Sequence, residues 1–253
     1  MQYDPKTAKE RKMGDFTSKL ICVADKNGAT KGLINQESAT AFEKLTSHML
    51  EVNKSLNLTA IKDEDGVILK HLVDSSACVP YIKENASVCD IGCGGGFPSL
   101  VIAVLRGDVS VFAVDSVSKK VKYVADTAAL LGLDNVSVSN ERAEVIGNGQ
   151  KRESFDVVTA RAVARLNVLC ELCLPLLKVG GTFISMKSQT TSEEINEARE
   201  AIKKLGGEIK EVCEYSLTDG KETVERTLIL IEKIKTTPAK YPRNNSQIAK
   251  KPL

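Results

Sequence analysis

The stretch Val88-Cys-Asp-Ile-Gly-Cys-Gly-Gly-Gly-Phe-Pro98 decides the fold class of this chain. A short apolar run ends at Asp90, four glycines follow within five residues, and Pro98 leads into the apolar run 99–105. A strand, a glycine-rich turn and a helix in this order build the ligand crevice of an open α/β sheet. Because glycine permits positive φ angles and lets a ligand approach the backbone, we predict a nucleotide-type ligand at this turn.

The spacing of the glycines indicates which ligand the turn binds. A dinucleotide fingerprint requires a glycine at its sixth position, and Phe97 stands there when the count starts from Gly92. An acid before the first glycine, here Asp90, followed by Gly92 and Gly94, is typical of an S-adenosylmethionine crevice. A second acid, Asp115, ends the next apolar run about 20 residues further on, where a carboxylate binds ribose hydroxyls.

Length and composition are those of a single α/β domain with an appendage. The chain has 253 residues, of which 42% are hydrophobic, and a formal net charge of +2. No apolar run approaches the ~18 residues of a membrane span. The first twenty residues are rich in charged side chains and lack the apolar core of a signal peptide. We therefore expect a cytoplasmic protein that is not bound to a membrane.

The seven cysteines indicate reduced thiols, since an odd number without a secretion signal does not suit a disulfide framework. Cys170 and Cys173 form a C-x-x-C pair, but no second ligand pair follows at zinc spacing. The pair lies in the apolar periodic segment 166–177, which predicts a helix. We interpret both cysteines as small core residues and expect no metal site.

Alternating strand and helix patterns predict a doubly wound, mostly parallel sheet. Strands are expected at 87–91, 109–114, 136–139, 155–159 and 180–186, helices from 98 and at 118–131, 166–177 and 192–205, and a closing hairpin at 208–216 and 226–233. Two earlier helices, from 38 to 56 and from 65 to 79, would form a cap on the sheet. Residues 1–35 are weakly patterned.

The carboxyl ends of successive parallel strands meet at one edge of such a sheet, and functional residues cluster there. The candidates are Asp115 and Ser116 after the second strand, Arg142, Ala143 and Glu144 after the third, Arg161 after the fourth and Lys187 after the fifth. Of these, Lys187 is expected to contact the RNA substrate. Glu144 and the backbone before it would contact an adenine ring. Their coincidence at neighbouring strand ends predicts a single site.

The end of the chain is basic although the whole chain is almost neutral. Residues 233–253 contain no acid but six basic residues, among them Lys240, Arg243, Lys250 and Lys251. Such a segment could contact phosphates, whose attraction for lysine and arginine is sequence-independent and weakened by salt. A solvated tail without function is the other interpretation of this charge run.

Several motifs together resemble the RsmG (formerly GidB) family of bacterial methyltransferases that modify guanine N7 in small-subunit (16S) ribosomal RNA. The resembling segments, spread from about residue 40 to 253, are 57–61, 71–75, 90–98, 115–120, 142–144, 155–162, 175–181, Lys187, 241–243 and 250–253. The glycine motif alone is common to many methyltransferases. The ordered set is specific to this family.

The resemblance implies a class I S-adenosylmethionine-dependent methyltransferase, with a Rossmann-like, seven-stranded sheet and an N-terminal helical cap. Gly92 and Phe97 would line the methyl-donor site, Ala143 and Glu144 would lie at the adenine, and Arg161 would lie in the active centre, in contact with the donor. Arg142 matches a second arginine assigned to that centre. The implied segments are an N-terminal extension without a predicted role (1–38), the cap (39–84), the methyltransferase domain (85–235) and a basic tail (236–253).

The chain departs from the family pattern at three places. Cys93 stands where the family has Ser or Thr, and Ser99 where it has Gly, and both are small enough to keep the loop. Residues 244–248, Asn-Asn-Ser-Gln-Ile, replace a Gly-x-Pro motif. The change at residues 244–248 would affect how the tail contacts RNA and would not affect the reaction.

The implied reaction is direct methyl transfer to guanine N7, with S-adenosylhomocysteine as product and no covalent intermediate. N7 carries a free lone pair, so no base must first remove a proton, and catalysis consists mainly of alignment. His71 either reaches the crevice or supports the cap.

The expected partner is 16S RNA or a small-subunit particle, bound by a monomer. Two alternatives remain: a small-molecule methyltransferase, which would act without RNA, and a non-catalytic RNA-binding module, which would not bind the donor.

Overall fold

The computed structural model describes residues 15–188, 190 and 192–253; the first 14 residues of the predicted N-terminal extension lie outside the described residues. The described helices are α1 (Asp15–Lys26), α2 (Gln36–Leu56), α3 (Glu64–Val67), a π-helical segment (Ile68–Val73), α4 (Asp74–Ser76), α5 (Ser99–Leu105), α6 (Ser118–Leu131), α7 (Ala143–Gly147), α8 (Leu166–Cys173), α9 (Ser192–Lys204) and α10 (Asn245–Lys250). Short 3-10 turns lie at Val79–Tyr81 and Leu174–Leu176.

A seven-stranded sheet with the order β3-β2-β1-β4-β5-β7-β6 confirms the predicted fold. Its strands are β1 (Ser87–Ile91), β2 (Ser110–Val114), β3 (Val136–Ser139), β4 (Phe155–Arg161), β5 (Leu177–Lys187), β6 (Gly207–Thr218) and β7 (Thr223–Lys233). The first five strands pair in parallel, and β7 pairs antiparallel with both β5 and β6. The strand order reverses direction at β1 and β4, so their carboxyl ends flank the crevice of a doubly wound sheet.

The turn after β1 is folded tightly by its glycines. Gly92, Gly94 and Gly96 all have positive φ angles, and the Phe97–Pro98 peptide bond is cis. A Cβ atom on Gly96 would lie 2.4 Å from Cδ1 of Leu100, so only glycine lets α5 pack this closely on the turn. The residues 99–103 at the start of α5 are buried, as the sequence predicts for a short internal helix.

The N-terminal cap includes a helix that the sequence patterns do not predict. α1 buries Phe16, Leu20 and Val23 in the same core cluster as α2, α5 and α6. Its end is joined to the β6–β7 hairpin by Asn27, whose side-chain amide donates to the carbonyl of Thr218 and accepts from the N–H of Thr218. Residues 15–27 of the predicted N-terminal extension therefore pack against the core.

A second core cluster lies on the other face of the sheet, under α7, α8 and α9. Cys170 and Cys173 are fully buried in it as free thiols, which confirms their interpretation as core residues. The helix predicted to reach residue 177 ends at Cys173. Pro175 explains the difference, because it has no N–H for a helical hydrogen bond and directs the chain through a 3-10 turn into β5.

Residues 234–253, called here the C-terminal strap, fold back across α7 and α8. Tyr241, Pro242 and Ile248 are buried, and Leu253 packs against the second core cluster. Lys233, at the end of β7, is fully buried, and its ammonium donates to the carbonyl of Leu174 at 2.6 Å. Burial lowers the pKa of this lysine, against a contact with Glu153 that raises it.

Within the described part of the chain, none of the helices is both long and apolar enough to cross a lipid bilayer.

Candidate active site

Two adjacent cavities lie at the carboxyl edge of the parallel strands. The first, cavity A, has a volume of about 350 Å³. It is lined by Ile91, Gly92, Val114, Asp115, Ser116, Val117, Lys120, Glu141, Arg142, Ala143, Glu144, Ala162, Val163, Leu172 and Asn245. Strands β1 and β2, helices α7 and α8 and the loop after β4 therefore all contribute to its wall, as expected for a ligand crevice in a doubly wound sheet.

Asp115 connects cavity A to the glycine turn. Its Oδ2 atom accepts a hydrogen bond from the N–H of Gly94 at 3.0 Å, and Oδ1 accepts from the N–H of Val117 at 2.9 Å. Asn140 holds the backbone from the other side by donating to the Asp115 carbonyl at 3.0 Å. Each carboxylate oxygen has two lone pairs, so the side chain can still accept bonds from ligand hydroxyl groups.

Gly92 brings the wall of cavity A close to β1. A Cβ atom at this position, where φ is +73°, would lie 2.6 Å from Cγ2 of Val163. Ala162, the residue before Val163, itself has a φ of 56°, an uncommon conformation for a residue with a Cβ atom. The close contact of Gly92 with Val163 fixes the boundary of the cavity at the end of β4.

Helix α7 supplies the part of the wall predicted to contact adenine. Ala143 and Glu144 are buried at its first turn, whereas Arg142 is exposed and its carbonyl accepts the first helical hydrogen bonds. All three residues line cavity A. Arg142 lines cavity A, whereas Arg161 lines the adjacent cavity described below, and the predicted catalytic role of Arg142 stays a prediction.

Asp90, Gly94 and Phe97 are not among the residues that line cavity A. Asp90 is buried, and its carboxylate accepts from the hydroxyl of Thr159 at 2.9 Å and from the N–H of Ser99 at 3.2 Å. Burial raises its pKa to about 6, although both hydrogen bonds act in the opposite direction. Asp90 therefore connects β1, β4 and the start of α5 behind the cavity.

The second cavity, cavity B, has a volume of about 560 Å³ and shares Ala162 and Val163 with cavity A. Its other lining residues are Ile61, Lys70, His71, Asp74, Arg161, Ala164, Met186, Lys187, Ser188, Glu194 and Arg226. These include four lysine or arginine side chains and only two carboxylates. Lys70 also pairs with Glu222, which does not line the cavity, at 2.9 Å. One positive charge therefore remains in excess, and it favours an anionic ligand such as a phosphate.

Arg161 is held in cavity B by three groups of the helical cap. Its Nη1 atom donates to the carbonyl of Lys70 at 2.9 Å and to Oδ2 of Asp74 at 3.1 Å, and its Nη2 atom lies 3.2 Å from Nδ1 of His71. Lys70 and His71 belong to the π-helical segment, a wide turn that is frequent at functional sites. Asp74 also accepts from Nε of Arg226 at 2.9 Å, so one carboxylate orients two guanidinium groups.

His71 joins the glycine turn to this arginine. Its ring stacks on Phe97 with centroids 4.6 Å apart, and its Nε2 atom lies 2.9 Å from the hydroxyl of Thr59. Burial, followed by the positive charge of Arg161, lowers the pKa of His71 to about 3. The structure shows that His71 both lines the crevice and supports the cap, the two alternatives that the sequence left open.

The residues predicted to bind RNA fall into two groups. Lys187 and Arg243 are bonded inside the protein: Lys187 pairs with Glu194 at 2.7 Å, and Arg243 pairs with the fully buried Glu171 at 2.6 Å. The side chains of Lys240, Lys250 and Lys251 are exposed on the strap. Of the five predicted residues, these three present their charge to solvent, and their contact with RNA stays a prediction.

Several lining residues were not among the predicted site residues. Val163, Leu172 and Asn245 of cavity A belong to a loop, a helix and the strap, and nothing in their local sequence marks them as ligand contacts. Arg226 could have been suspected, because a charged residue directly precedes the buried run of β7, Thr227 followed by the apolar residues 228–231. Within the described residues, no three His, Cys, Asp or Glu side chains are grouped to hold a metal ion.

Solved structures share the fold at low sequence identity. An S-adenosylmethionine-dependent methyltransferase from Aquifex aeolicus matches with a TM-score of 0.52 at 17% identity, over 70% of this chain and 97% of that chain. TYW2 from Pyrococcus horikoshii matches with a TM-score of 0.52 at 17% identity, over 64% of this chain and 63% of that chain. At this identity the likeness concerns the fold alone.

Relatives found by sequence are much more similar to this chain than those solved structures are. Ribosomal RNA small subunit methyltransferase G from Staphylococcus epidermidis is 46% identical over 214 residues, which is 84% of this chain and 89% of the relative. The enzyme of the same name from Geobacillus is 42% identical over 227 residues, which is 88% of this chain and 94% of the relative. The family model of GidB, rRNA small subunit methyltransferase G, matches residues 38–223. The chain therefore belongs to the GidB family, rRNA small subunit methyltransferase G.

Proposed function

We propose that this protein transfers the methyl group of S-adenosylmethionine to N7 of a guanine in 16S ribosomal RNA. The donor would bind in cavity A and the guanine would enter cavity B. The observation that carries the proposal is the shared wall of Ala162 and Val163, which brings the two cavities together at the end of β4. Direct transfer requires that donor and acceptor meet within attack distance, and the adjoining position of the two cavities supports this arrangement.

The residues of cavity A fit the methyl donor. A volume of about 350 Å³ lies within the range of small-molecule sites, about 300–1,000 Å³. Asp115 and Ser116 would bind the ribose hydroxyls, Ala143 and Glu144 the adenine, and Gly92 would let the ligand approach the backbone. When bound, S-adenosylmethionine supplies an electrophilic methyl group on its sulfonium sulfur.

The residues of cavity B fit the guanine and its flanking phosphate. Guanine N7 is a hydrogen-bond acceptor with a free lone pair, so the reaction needs no general base. Arg161 would orient the base through its O6 atom or hold the adjacent phosphate. Its paired carboxylate, Asp74, limits the repulsion between the guanidinium and a purine that becomes positively charged during transfer.

The RNA would be bound in a form that exposes guanine N7. A regular A-form helix hides this atom in its deep groove, so a loop or an unstacked nucleotide is the expected substrate. The exposed lysines of the strap would contact phosphates around it.

We also propose that the enzyme acts as a monomer in the cytoplasm. Size-exclusion chromatography with light scattering would test the oligomeric state, and cell fractionation would test the localisation.

Methyl incorporation tests the proposal most simply. The protein is incubated with S-adenosylmethionine labelled in the methyl group, either alone, with a panel of small metabolites, or with 16S RNA and small-subunit particles from cells that lack the modification. We expect label in RNA only, and a comparison of naked RNA with particles identifies the preferred form. Label in a small molecule would support the small-molecule methyltransferase instead. Binding of RNA without binding of the donor would support a non-catalytic module.

Asp115→Asn tests the donor site separately. The substitution replaces one carboxylate oxygen by an NH2 group, which only donates and can accept from neither a backbone N–H nor a ribose hydroxyl. We expect the dissociation constant for S-adenosylhomocysteine, measured by calorimetry, to rise at least about tenfold, since hydrogen bonds to a charged group contribute about 1.5–3 kcal/mol. The matched control is Asp126→Asn, which changes an exposed aspartate on α6 and should leave the constant unchanged.

A further inference from the structure

The C-terminal strap reaches the wall of cavity A. Among the lining residues, Asn245 is the one that comes from beyond β7. It is the first residue of α10, and the start of this helix is fixed by Asn244, whose side chain accepts from the N–H of Gln247 at 3.0 Å. The predicted role of this segment was RNA contact only, so its place beside the cavity is a separate observation.

The strap is attached to the protein by side chains from the region of α7. Arg152 donates to the carbonyl of Tyr241 and to the carbonyl of Thr237, both at 2.7 Å. Asn148 donates to the carbonyl of Pro242 at 3.0 Å. These bonds hold the backbone of the strap, so they constrain its path whichever side chains it carries.

An ion pair with α8 holds the strap next to Asn245. Arg243 donates to the Glu171 carboxylate from its Nη2 atom at 2.6 Å, from Nε at 2.8 Å and from its backbone N–H at 2.9 Å. The hydrogen bonds to Glu171 raise the pKa of Arg243. Glu171 is completely buried, and a buried carboxylate is stable only when its charge is compensated. Docking of the strap is therefore coupled to the packing of α8.

The strap also contacts α7 directly. Pro242 packs over Gly147, where an added Cβ atom would lie 3.0 Å from Cγ of the proline. The same Asn148 amide that binds the strap donates to the carbonyl of Glu144 at 2.8 Å. The strap thus bonds to a residue that itself holds Glu144, which lines cavity A.

We infer that the C-terminal strap is part of the methyl-donor site, an inference that rests on the proposed function of cavity A. Asn245 binds the methyl donor, and Arg243 is a positioning residue that acts through Asn245 and through α8, whose Leu172 also lines cavity A. An asparagine amide carries both hydrogen-bond donors and an acceptor and matches the paired groups at N6 and N7 of adenine. The Asn-Asn sequence at 244–245 then contributes to the affinity of this chain for the methyl donor.

Calorimetric titration with S-adenosylhomocysteine tests this inference in the full-length protein. Asn245→Ala should weaken binding about fivefold, the effect of one missing hydrogen bond, without changing the melting temperature. Arg243→Met should weaken binding at least as much, and Arg243→Lys, which keeps a charge beside Glu171, should restore part of it. In steady-state assays both defects should appear in KM for the methyl donor, while kcat at saturating donor and KM for RNA stay within about twofold of wild type.

A matched control removes an ion pair that includes no residue of the strap and none of the lining of cavity A. Lys178→Met breaks the pair of Lys178 with Asp156 near the start of β4 and should leave donor affinity unchanged. If Arg243→Met does not fold, Asn245→Ala alone decides, because it changes an exposed side chain. Unchanged donor affinity in Asn245→Ala, together with a loss in Arg243→Met confined to thermal stability, would overturn the inference. If the wild-type protein itself bound no S-adenosylhomocysteine, the proposed function of cavity A would fail instead.

Discussion

Nδ1 of His71 lies 3.2 Å from Nη2 of Arg161, and this contact defines the protonation state of the imidazole. A guanidinium can only donate, so Nδ1 must accept and carry no proton. The ring proton is then on Nε2, which donates to the hydroxyl of Thr59 at 2.9 Å. His71 is thus a neutral spacer between Arg161 and Thr59, in agreement with its pKa of about 3.

This neutral state predicts a pH-dependent contribution to stability. Unfolded His71 takes up a proton below about pH 6.5, whereas the native side chain does so only near pH 3, so the unfolded chain binds more protons in between. Native stability must therefore fall as the pH falls through this window. Comparing the unfolding free energies of wild type and His71→Asn, we expect the wild-type advantage to shrink by about 2 kcal/mol from pH 6.5 to pH 5. A difference that is constant with pH would refute the assignment.

Gly92→Ala should weaken ligand binding in cavity A more than it destabilises the protein. The added methyl group would lie 2.6 Å from Val163 at a positive φ angle, so Val163 must move and the wall between the two cavities with it. We expect donor affinity to fall at least about tenfold and stability by about 1–2 kcal/mol, the cost of a left-handed conformation with a Cβ atom. Gly107→Ala is the control, because no neighbouring atom lies within 4 Å of its added Cβ. Equal donor affinities in the two variants would count against this account of the wall.

Arg161→Ala separates the two roles that the sequence predicts for this arginine. Asp74 keeps its ion pair with Arg226, so the variant should fold. Because Arg161 lines cavity B and not cavity A, we expect the dissociation constant of the donor to change less than twofold. The single-turnover rate with saturating RNA should fall about 100-fold, the effect of a misplaced base.

The matched control for Arg161→Ala is Arg165→Ala, which removes an exposed arginine a few residues further on. Full single-turnover activity of Arg161→Ala would exclude a role for Arg161 in the active centre. A large loss of donor affinity would support the predicted cofactor contact instead.

The exposed lysines of the strap predict a salt effect on RNA binding. Replacing Lys240, Lys250 and Lys251 by alanine should weaken RNA binding and reduce the slope of log Kd against log salt by about 0.7–0.9 for each phosphate that the variant no longer neutralises. Filter binding at several salt concentrations measures this slope. Replacement of three exposed lysines elsewhere, at positions 122, 203 and 210, should have little effect. Equal slopes for both triple variants would favour the solvated-tail interpretation.

The sequence predicted the sheet well because its signals are local. The β1 strand, its glycine turn and α5 each follow from alternation, glycine spacing and an apolar run over residues 87–105. The end of α8 was predicted too late because its apolar periodicity continues past Cys173, whereas Pro175 ends the hydrogen bonding. Helix α1 was missed because its apolar face is short and is defined by burial against α2.

The site was predicted less completely because much of it depends on long-range contacts. Asp115 and Glu144 follow strand ends, so their place in cavity A could be expected from the strand order. Arg161 was expected in the active centre, but its fixation by Asp74 joins residues 87 positions apart. Arg243 appeared in the sequence as a free phosphate ligand, and only the fold shows its partner, a fully buried Glu171.

The atom that receives the methyl group tests the central claim most directly. Small-subunit particles that lack the modification are incubated with the protein and labelled S-adenosylmethionine, and the RNA is digested to nucleosides and also cleaved chemically at N7-methylguanosine. We expect about one methyl group per particle, at N7 of a single guanine, because the proposed activity modifies one guanine of the 16S RNA. Label on any other atom, label spread over many guanines, or no label in particles that the protein binds would contradict the account.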